Sequence, residues 1–185
     1  LIDRAVTLGE YDGLLREVII ELKHSGQEHM ALQLGKLLGQ AFSPHVASMG
    51  YQVMVAMPAH WSRRLARGAN IAELLCEGAS PYLELEAAPG MLKQTRKTAK
   101  QATLTRSQRI KNVKGAFAIR KGYTAGGFKI LIVDDVLTSG ATINEAARVL
   151  LNSGAAAVGA MLIARGQGSL VGSMPRAPGG ELAGN

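Results

Sequence analysis

The stretch KILIVDDVLTSGAT, residues 129–142, constrains this chain more than any other. Ile130, Leu131, Ile132 and Val133 form its strongest strand-like run, two carboxylates follow at once, and a loop of small and hydroxylated residues comes next. Around it, strand-like runs alternate with helical periods, the order expected of a mostly parallel sheet flanked by helices. In such a sheet ligands sit beyond the carboxyl ends of the strands. Asp134 and Asp135 fall there, which makes them candidates by position alone.

The rest of the chain supplies the flanking elements. Leu14, Leu15, Val18, Ile19 and Leu22 recur at helical spacing after Asp12, with a stop at Gly26. A second helix is expected over 28–41, with Ala31, Leu34, Leu37, Leu38 and Ala41 on one face. QVMVAM at 52–57 reads as a short buried strand broken by Pro58, and PAHWSRRLARGAN as a basic loop running into a helix over 69–79. Residues 81–89 read as weakly extended. Residues 94–112 carry no sustained apolar period and read as a long loop, a length that is usually functional or disordered. GAFAIR at 115–120 is strand-like, a helix is expected over 144–151, and a last buried strand over 156–165. The organisation this predicts is one domain over 1–166, opening with a helical segment over 1–45, and a disordered tail over 167–185 rich in Gly, Ser and Pro.

Composition excludes several classes. With 185 residues, 47% of them apolar, the chain can bury one substantial core. Its single cysteine, Cys76, excludes an internal disulfide and a cysteine-cluster zinc site, which suits a reducing, cytoplasmic setting. Cys76 itself reads as a small apolar residue on a buried helix face. No run of about 18 apolar residues and no basic-then-apolar leader occurs, so neither a membrane span nor secretion is expected. The net charge of +7 is concentrated. Residues 91–121 hold Lys93, Arg96, Lys97, Lys100, Arg106, Arg109, Lys111, Lys114, Arg120 and Lys121 and no acid, and the remainder is net acidic. That segment should meet something anionic. His24, His29 and His45 lack ligand spacing, His60 reads as structural or phosphate-contacting, and Trp61 as a packing residue.

After the paired acids, Val136, Leu137, Thr138, Ser139, Gly140, Ala141 and Thr142 offer backbone N–H groups, three hydroxyls and a glycine for a tight turn, and then enter a helix whose N-terminus attracts anions. Acids that hold ribose hydroxyls or a metal, beside a loop that holds a sugar phosphate, fit this layout. Three other readings compete. Paired acids can simply cap a helix. A phosphoacceptor receiver domain also opens with such a strand, but it needs a further Asp and a Lys downstream, and this chain has no Asp after 135 and no Lys after 129. A nucleotide-hydrolysing site would require a GxxxxGK[ST] loop, which is absent.

VDDVLTSGAT resembles the phosphoribosyl-diphosphate signature of type I phosphoribosyltransferases. The resemblance narrows to the ComF family of competence-associated phosphoribosyltransferase-like proteins. YDGLLREVIIELKHSG at 11–26, MPAHWSRRLARGAN, and the pair RKTAKQ and RIKNVKGAF are similar, in order, to that family's segments, over residues 11–165. Two departures stand out. Ala69 and Ile71 flank the asparagine where the family usually has Phe and Gln, and the N-terminal four-cysteine zinc finger of many members is missing from these residues, as in a fragment or a finger-less member.

The resemblance implies a type I phosphoribosyltransferase-like fold with a mobile basic lid, binding 5-phosphoribosyl-1-diphosphate with Mg²⁺ and transferring phosphoribosyl to a nitrogen acceptor. On that reading Asp134 and Asp135 serve the ribose hydroxyls and, partly indirectly, Mg²⁺. The loop of residues 136–142 takes the 5-phosphate. Arg63, Arg64 and Arg67, with Gly68 giving the backbone room, serve the diphosphate. Arg96, Lys97, Thr98, Gln101, Arg109 and Asn112 belong to the lid. The rival reading is a non-catalytic protein of DNA uptake and transformation, in which the basic segment binds single-stranded DNA and the partners are other DNA-uptake proteins. Against it, Phe117 is the one aromatic residue within 91–121.

Overall fold

The computed structural model describes residues 1–59, 69–99 and 104–166, without the side chain of Arg106. In chain order the elements are β1 (Ala5–Glu10), α1 (Gly13–Glu21), α2 (Glu28–Met49), β2 (Val53–Ala56), α3 (Ile71–Ala79), a 3-10 turn (Ser80–Tyr82), β3 (Glu86–Ala87), β4 (Leu92–Gln94), α4 (Arg106–Val113), β5 (Phe117–Ile119), β6 (Lys129–Leu137), α5 (Ala141–Asn152) and β7 (Ala157–Arg165). Five strands pair in parallel in the order β1-β7-β6-β2-β3, and β4 and β5 form a separate antiparallel pair.

The central strands are apolar on both faces because both are covered. Ile130 to Val133 in β6 and Ala160 to Ala164 in β7 are almost completely buried, as parallel strands sandwiched between helices must be. The connections from β1 to β2 and from β2 to β3 step one way along the sheet, and that from β6 to β7 steps the other. Right-handed crossovers therefore place α2 and α3 on one face and α5 on the other. The small β4–β5 sheet and α4 pack against α5. There the buried Glu145 accepts the Gly115 N–H at 2.6 Å and two bonds from Arg148. The Arg148 guanidinium, and then the Gly115 amide, hold its carboxyl below the usual range against the opposing effect of burial.

Several expectations are corrected. The segment 1–45 is not wholly helical, because residues 5–10 form β1, an edge strand paired with β7 from Ala5↔Ala160 to Glu10↔Arg165. The second helix runs on through Pro44 to Met49, since Pro44 lies on the exposed side while Phe42 and Val46 are buried around it. Its inward face is Ala31, Gly35, Leu38, Gly39, Phe42 and Val46, and Leu37 is 48% exposed. Leu14, assigned to the apolar face of α1, is 73% exposed. Residues 94–112 are not one long loop, because 106–113 form α4. The stretch 167–185 lies outside the described residues.

The displacement of the apolar face toward glycine has a packing cause. α2 and α3 cross so closely that a Cβ on Gly78 would collide with the carbonyl oxygen of Leu32, and one on Gly35 with that of Leu75. Backbone rather than a side-chain tip forms the obstacle, so it cannot swing away. Gly78→Ala gains helix propensity worth roughly 1 kcal/mol, but the overpacking outweighs it, and a net loss of about 2 kcal/mol is expected in denaturant unfolding. Gly126→Ala, whose methyl would meet nothing nearer than Thr124 Oγ1 at 3.5 Å, should stay within about 0.5 kcal/mol of the parent.

Candidate functional site

A cleft of about 270 Å³ opens at the carboxyl ends of β2 and β6. Its cause is topological. β2 pairs with β6 only as far as Ala56↔Val133, while β6 stays paired with β7 out to Leu137↔Arg165. After the Met57 N–H bond to the Val133 carbonyl, at 2.9 Å, the chain leaves β6. The two connections depart on opposite faces, and the crevice between them is the usual ligand position in an open α/β sheet. Asp134 and Asp135 line it opposite Met57, Pro58 and Ala59.

The acids therefore lie within the last part of β6 rather than after it. Asp134 accepts the Asp135 N–H at 2.9 Å, and Asp135 accepts the Val136 N–H at 2.7 Å. Burial, and next the neighbouring charge of Asp135, push the Asp134 carboxyl well above the usual range, and the Lys23 ammonium acts in the opposite direction. Lys23 Nζ lies 3.5 Å from Asp135 Oδ2.

The expected loop of residues 136–142 is shorter than its sequence suggests. Val136 and Leu137 complete β6, Ala141 and Thr142 open α5, and 138–140 alone make the turn. Gly140 turns the chain at φ +74, where other residues are strained. Ser139 Oγ accepts the Ala141 N–H at 3.4 Å, and Asn144 Nδ2 donates to the Gly140 carbonyl at 2.9 Å. No acid stands in the first turn of α5, so its positive end is not neutralised from within the helix. Val136, Thr138 and Thr142 line the cleft, whereas Leu137 and Ala141 are buried.

Of the lid candidates, Thr98 reaches the cleft, together with Gln94, whose Nε2 donates to Thr98 Oγ1 at 3.2 Å. Arg96 and Asn112 are engaged in bracing the segment itself. Arg96 Nη2 donates to the carbonyls of Asn112 and Lys114, at 2.9 and 2.7 Å. The Asn112 amide makes a reciprocal pair with the backbone of Ala99. Arg109 Nε donates to the Leu104 carbonyl, and Lys97 is exposed. Arg63, Arg64, Arg67, Gly68, Gln101, His60 and Trp61 lie outside the described residues. Cys76 is fully buried and its thiol is pushed up by that burial, as befits a packing residue.

Lys23, Gln94 and Asn70 were not singled out by sequence. Asn70 caps α3 by accepting the Ala72 N–H, while its own amide donates to the Met57 carbonyl at 3.1 Å, so it ties that helix to the end of β2. Its place between Gly68 and a helix was the available signal. Lys23 carried none, since a lysine after an amphipathic helix reads as a solvated charge. Among the described residues no group of three or more His, Cys, Asp or Glu side chains converges on a metal position, and no helix is long and apolar enough to cross a membrane.

Residues 88–173 match the phosphoribosyl transferase domain family. The hypoxanthine phosphoribosyl transferase of Trypanosoma cruzi superposes with a TM-score of 0.51 at 13% identity, over 80% of this chain and 72% of that one. Strand order, cleft and turn thus define a type I phosphoribosyltransferase fold. At the sequence level the chain is 35% identical over 158 residues to the DNA utilization protein YhgH of Escherichia coli strain K12, covering 84% of this chain and 69% of that protein. It is 27% identical over 157 residues to competence protein F of Haemophilus influenzae, covering 82% and 68%. The chain belongs to this YhgH and ComF family.

The state of Asp134 makes a measurable difference to stability. The folded chain keeps its proton to a higher pH than the unfolded chain does. Its contribution is therefore fully present below the unfolded carboxyl's range and is lost as pH rises through the raised folded value. At neutral pH that contribution is lost in part or in full, so the uncharged amide of Asp134→Asn should raise the thermal unfolding midpoint there. The gain should shrink as the buffer is made acidic.

Proposed function

We propose that this chain binds 5-phosphoribosyl-1-diphosphate with Mg²⁺ and transfers its phosphoribosyl group to a nitrogen acceptor, as a phosphoribosyltransferase-like unit over 1–166 serving DNA utilization in the cytoplasm. The observation that carries this reading is one cleft with the Asp134 and Asp135 carboxylates on β6 and, a turn later, the N-terminus of α5 with the side chains of Thr138 and Thr142. Two carboxylates, with no third such ligand among the described residues, suit Mg²⁺, which keeps waters and takes further oxygens from a substrate.

In this reading Asp134 and Asp135 orient the ribose hydroxyls and hold the metal, and the 138–142 turn holds the 5-phosphate. Arg63, Arg64 and Arg67, beside Gly68, hold the diphosphate, and Lys97, Thr98 and Gln101 close over it. Mg²⁺, when bound, helps to neutralise the charge that grows on the departing diphosphate. The chain's own part is to fix the sugar, shield C1 from water and supply cations. Arg96 and Asn112 shape the closing segment rather than touch the ligand, an assignment supported by their bonds to its backbone.

A second reading has one observation in its favour. Lys93, Lys97, Lys111, Lys114, Arg120 and Lys121 are all exposed, and just beyond them Tyr123 is 42% exposed, which adds a stacking group to a cationic surface. Single-stranded DNA fits that surface, and the name of the relative YhgH points the same way.

Calorimetric titration with phosphoribosyl diphosphate separates the two. Saturable binding that needs Mg²⁺ and is abolished in Asp134→Asn/Asp135→Asn, which should still fold, is the expected result. A folded parent that binds none, but retards single-stranded DNA in a salt-sensitive way lost on reversing Lys111 and Lys114, would leave the DNA surface as the function.

A further inference from the structure

Lys23 is the one cation among the described residues that line the cleft. Together with Asp134 and Asp135 it leaves that lining net negative, a poor setting for a diphosphate unless the ammonium stays and the acids find another partner. Leu22, 2% exposed, anchors the backbone at this point, so the base of the lysine is fixed while its tip is free to turn. The ion pair with Asp135 is loose. At 3.5 Å, with the two side chains 40% and 22% exposed, it is longer than a formed charge-assisted bond of about 2.8 Å, and such exposed pairs hold weakly. A lysine on its four-carbon stem exchanges partners readily.

We propose that Lys23 is an exchanging counter-ion of this site. It neutralises Asp135 in the ligand-free chain, yields that carboxylate to a divalent cation, and then turns to an anionic oxygen of the diphosphate. This rests on the phosphoribosyl diphosphate reading given above and adds a residue and a sequence of contacts to it. β1 and α1 carry Lys23 to the carboxyl end of β6, where it meets Asp135.

The test uses Lys23→Met, which keeps most of the stem, and Lys23→Arg. Binding of Mn²⁺ alone is followed by loss of its free-ion paramagnetic resonance signal, and binding of phosphoribosyl diphosphate in excess Mg²⁺ by calorimetry. Lys23→Met should bind Mn²⁺ about fivefold more tightly, because a competing charge is gone, and the diphosphate about tenfold more weakly, because a charged donor is lost. Lys23→Arg should recover most of the second affinity. Opposite movements of the two affinities are the signature. A parallel fall in both would mark a merely structural lysine, and no change in either would remove it from the site; each overturns the proposal while the parent's own binding keeps the site reading. A parent that binds no phosphoribosyl diphosphate overturns both.

Discussion

Two carboxylates held side by side at the carboxyl end of a buried central strand are the constraint around which this chain is arranged. Nothing about folding favours them. Burial and mutual repulsion push the Asp134 carboxyl upward, and what relieves it is small: the amide of the next residue and a lysine at a loose distance. The acids are tolerable because β2 leaves β6 at Val133 and opens them to the cleft. Had β2 continued two residues further, both would have been sealed into a core that cannot solvate a charge. The same divergence creates the cleft, so one feature of topology both eases the electrostatic problem and shapes the crevice.

Stability has to come from elsewhere, and it comes from close packing on the helical face. α2 and α3 approach until glycines at 35 and 78 face carbonyl oxygens, and the cleft's own framework is tied from both sides. Asn70 fastens α3 to the end of β2, and Glu145 fastens α5 to the small sheet through Gly115. These two polar residues are buried and hydrogen-bonded. The pattern is a rigid frame about a strained pair, the arrangement in which a site is pre-organised at a local cost.

What could be read from sequence follows the same physics. A strand apolar on both faces announces itself, so β6, β7 and the position of the acids were legible from KILIVDD and AAVGAMLIAR. β1 was not, because a short edge strand containing Thr and Gly takes its stability from pairing with β7 and shows little period of its own. The face of α2 was misplaced toward Leu37 because hydrophobicity marks large side chains, whereas a close helix crossing selects their absence. α4 lacked an apolar stripe, with Val113 buried and Ile110 55% exposed. Its start was nonetheless written in T-R-S-Q, where Thr105 and Gln108 form a capping box. Capping chemistry is local and survives in polar sequence, which is where periodicity falls silent.

The basic segment shows why residue type alone does not assign a role. Arg96 and Asn112 sit in a stretch whose charge suggested contact with phosphate, yet both are occupied by backbone carbonyls and amides across some sixteen residues of chain. Guanidinium serves this purpose well, since its terminal Nη2 alone donates to two carbonyls at once. A segment without a hydrophobic face of its own thus acquires a definite shape from a cation turned inward, and its lysines are left facing outward. The division within this segment is chemical: Arg96 and Arg109, planar and forked, bond the backbone, while the lysines, mobile point charges, stay exposed. Lys23, outside this segment, is likewise a flexible charge set next to a buried anchor, Leu22.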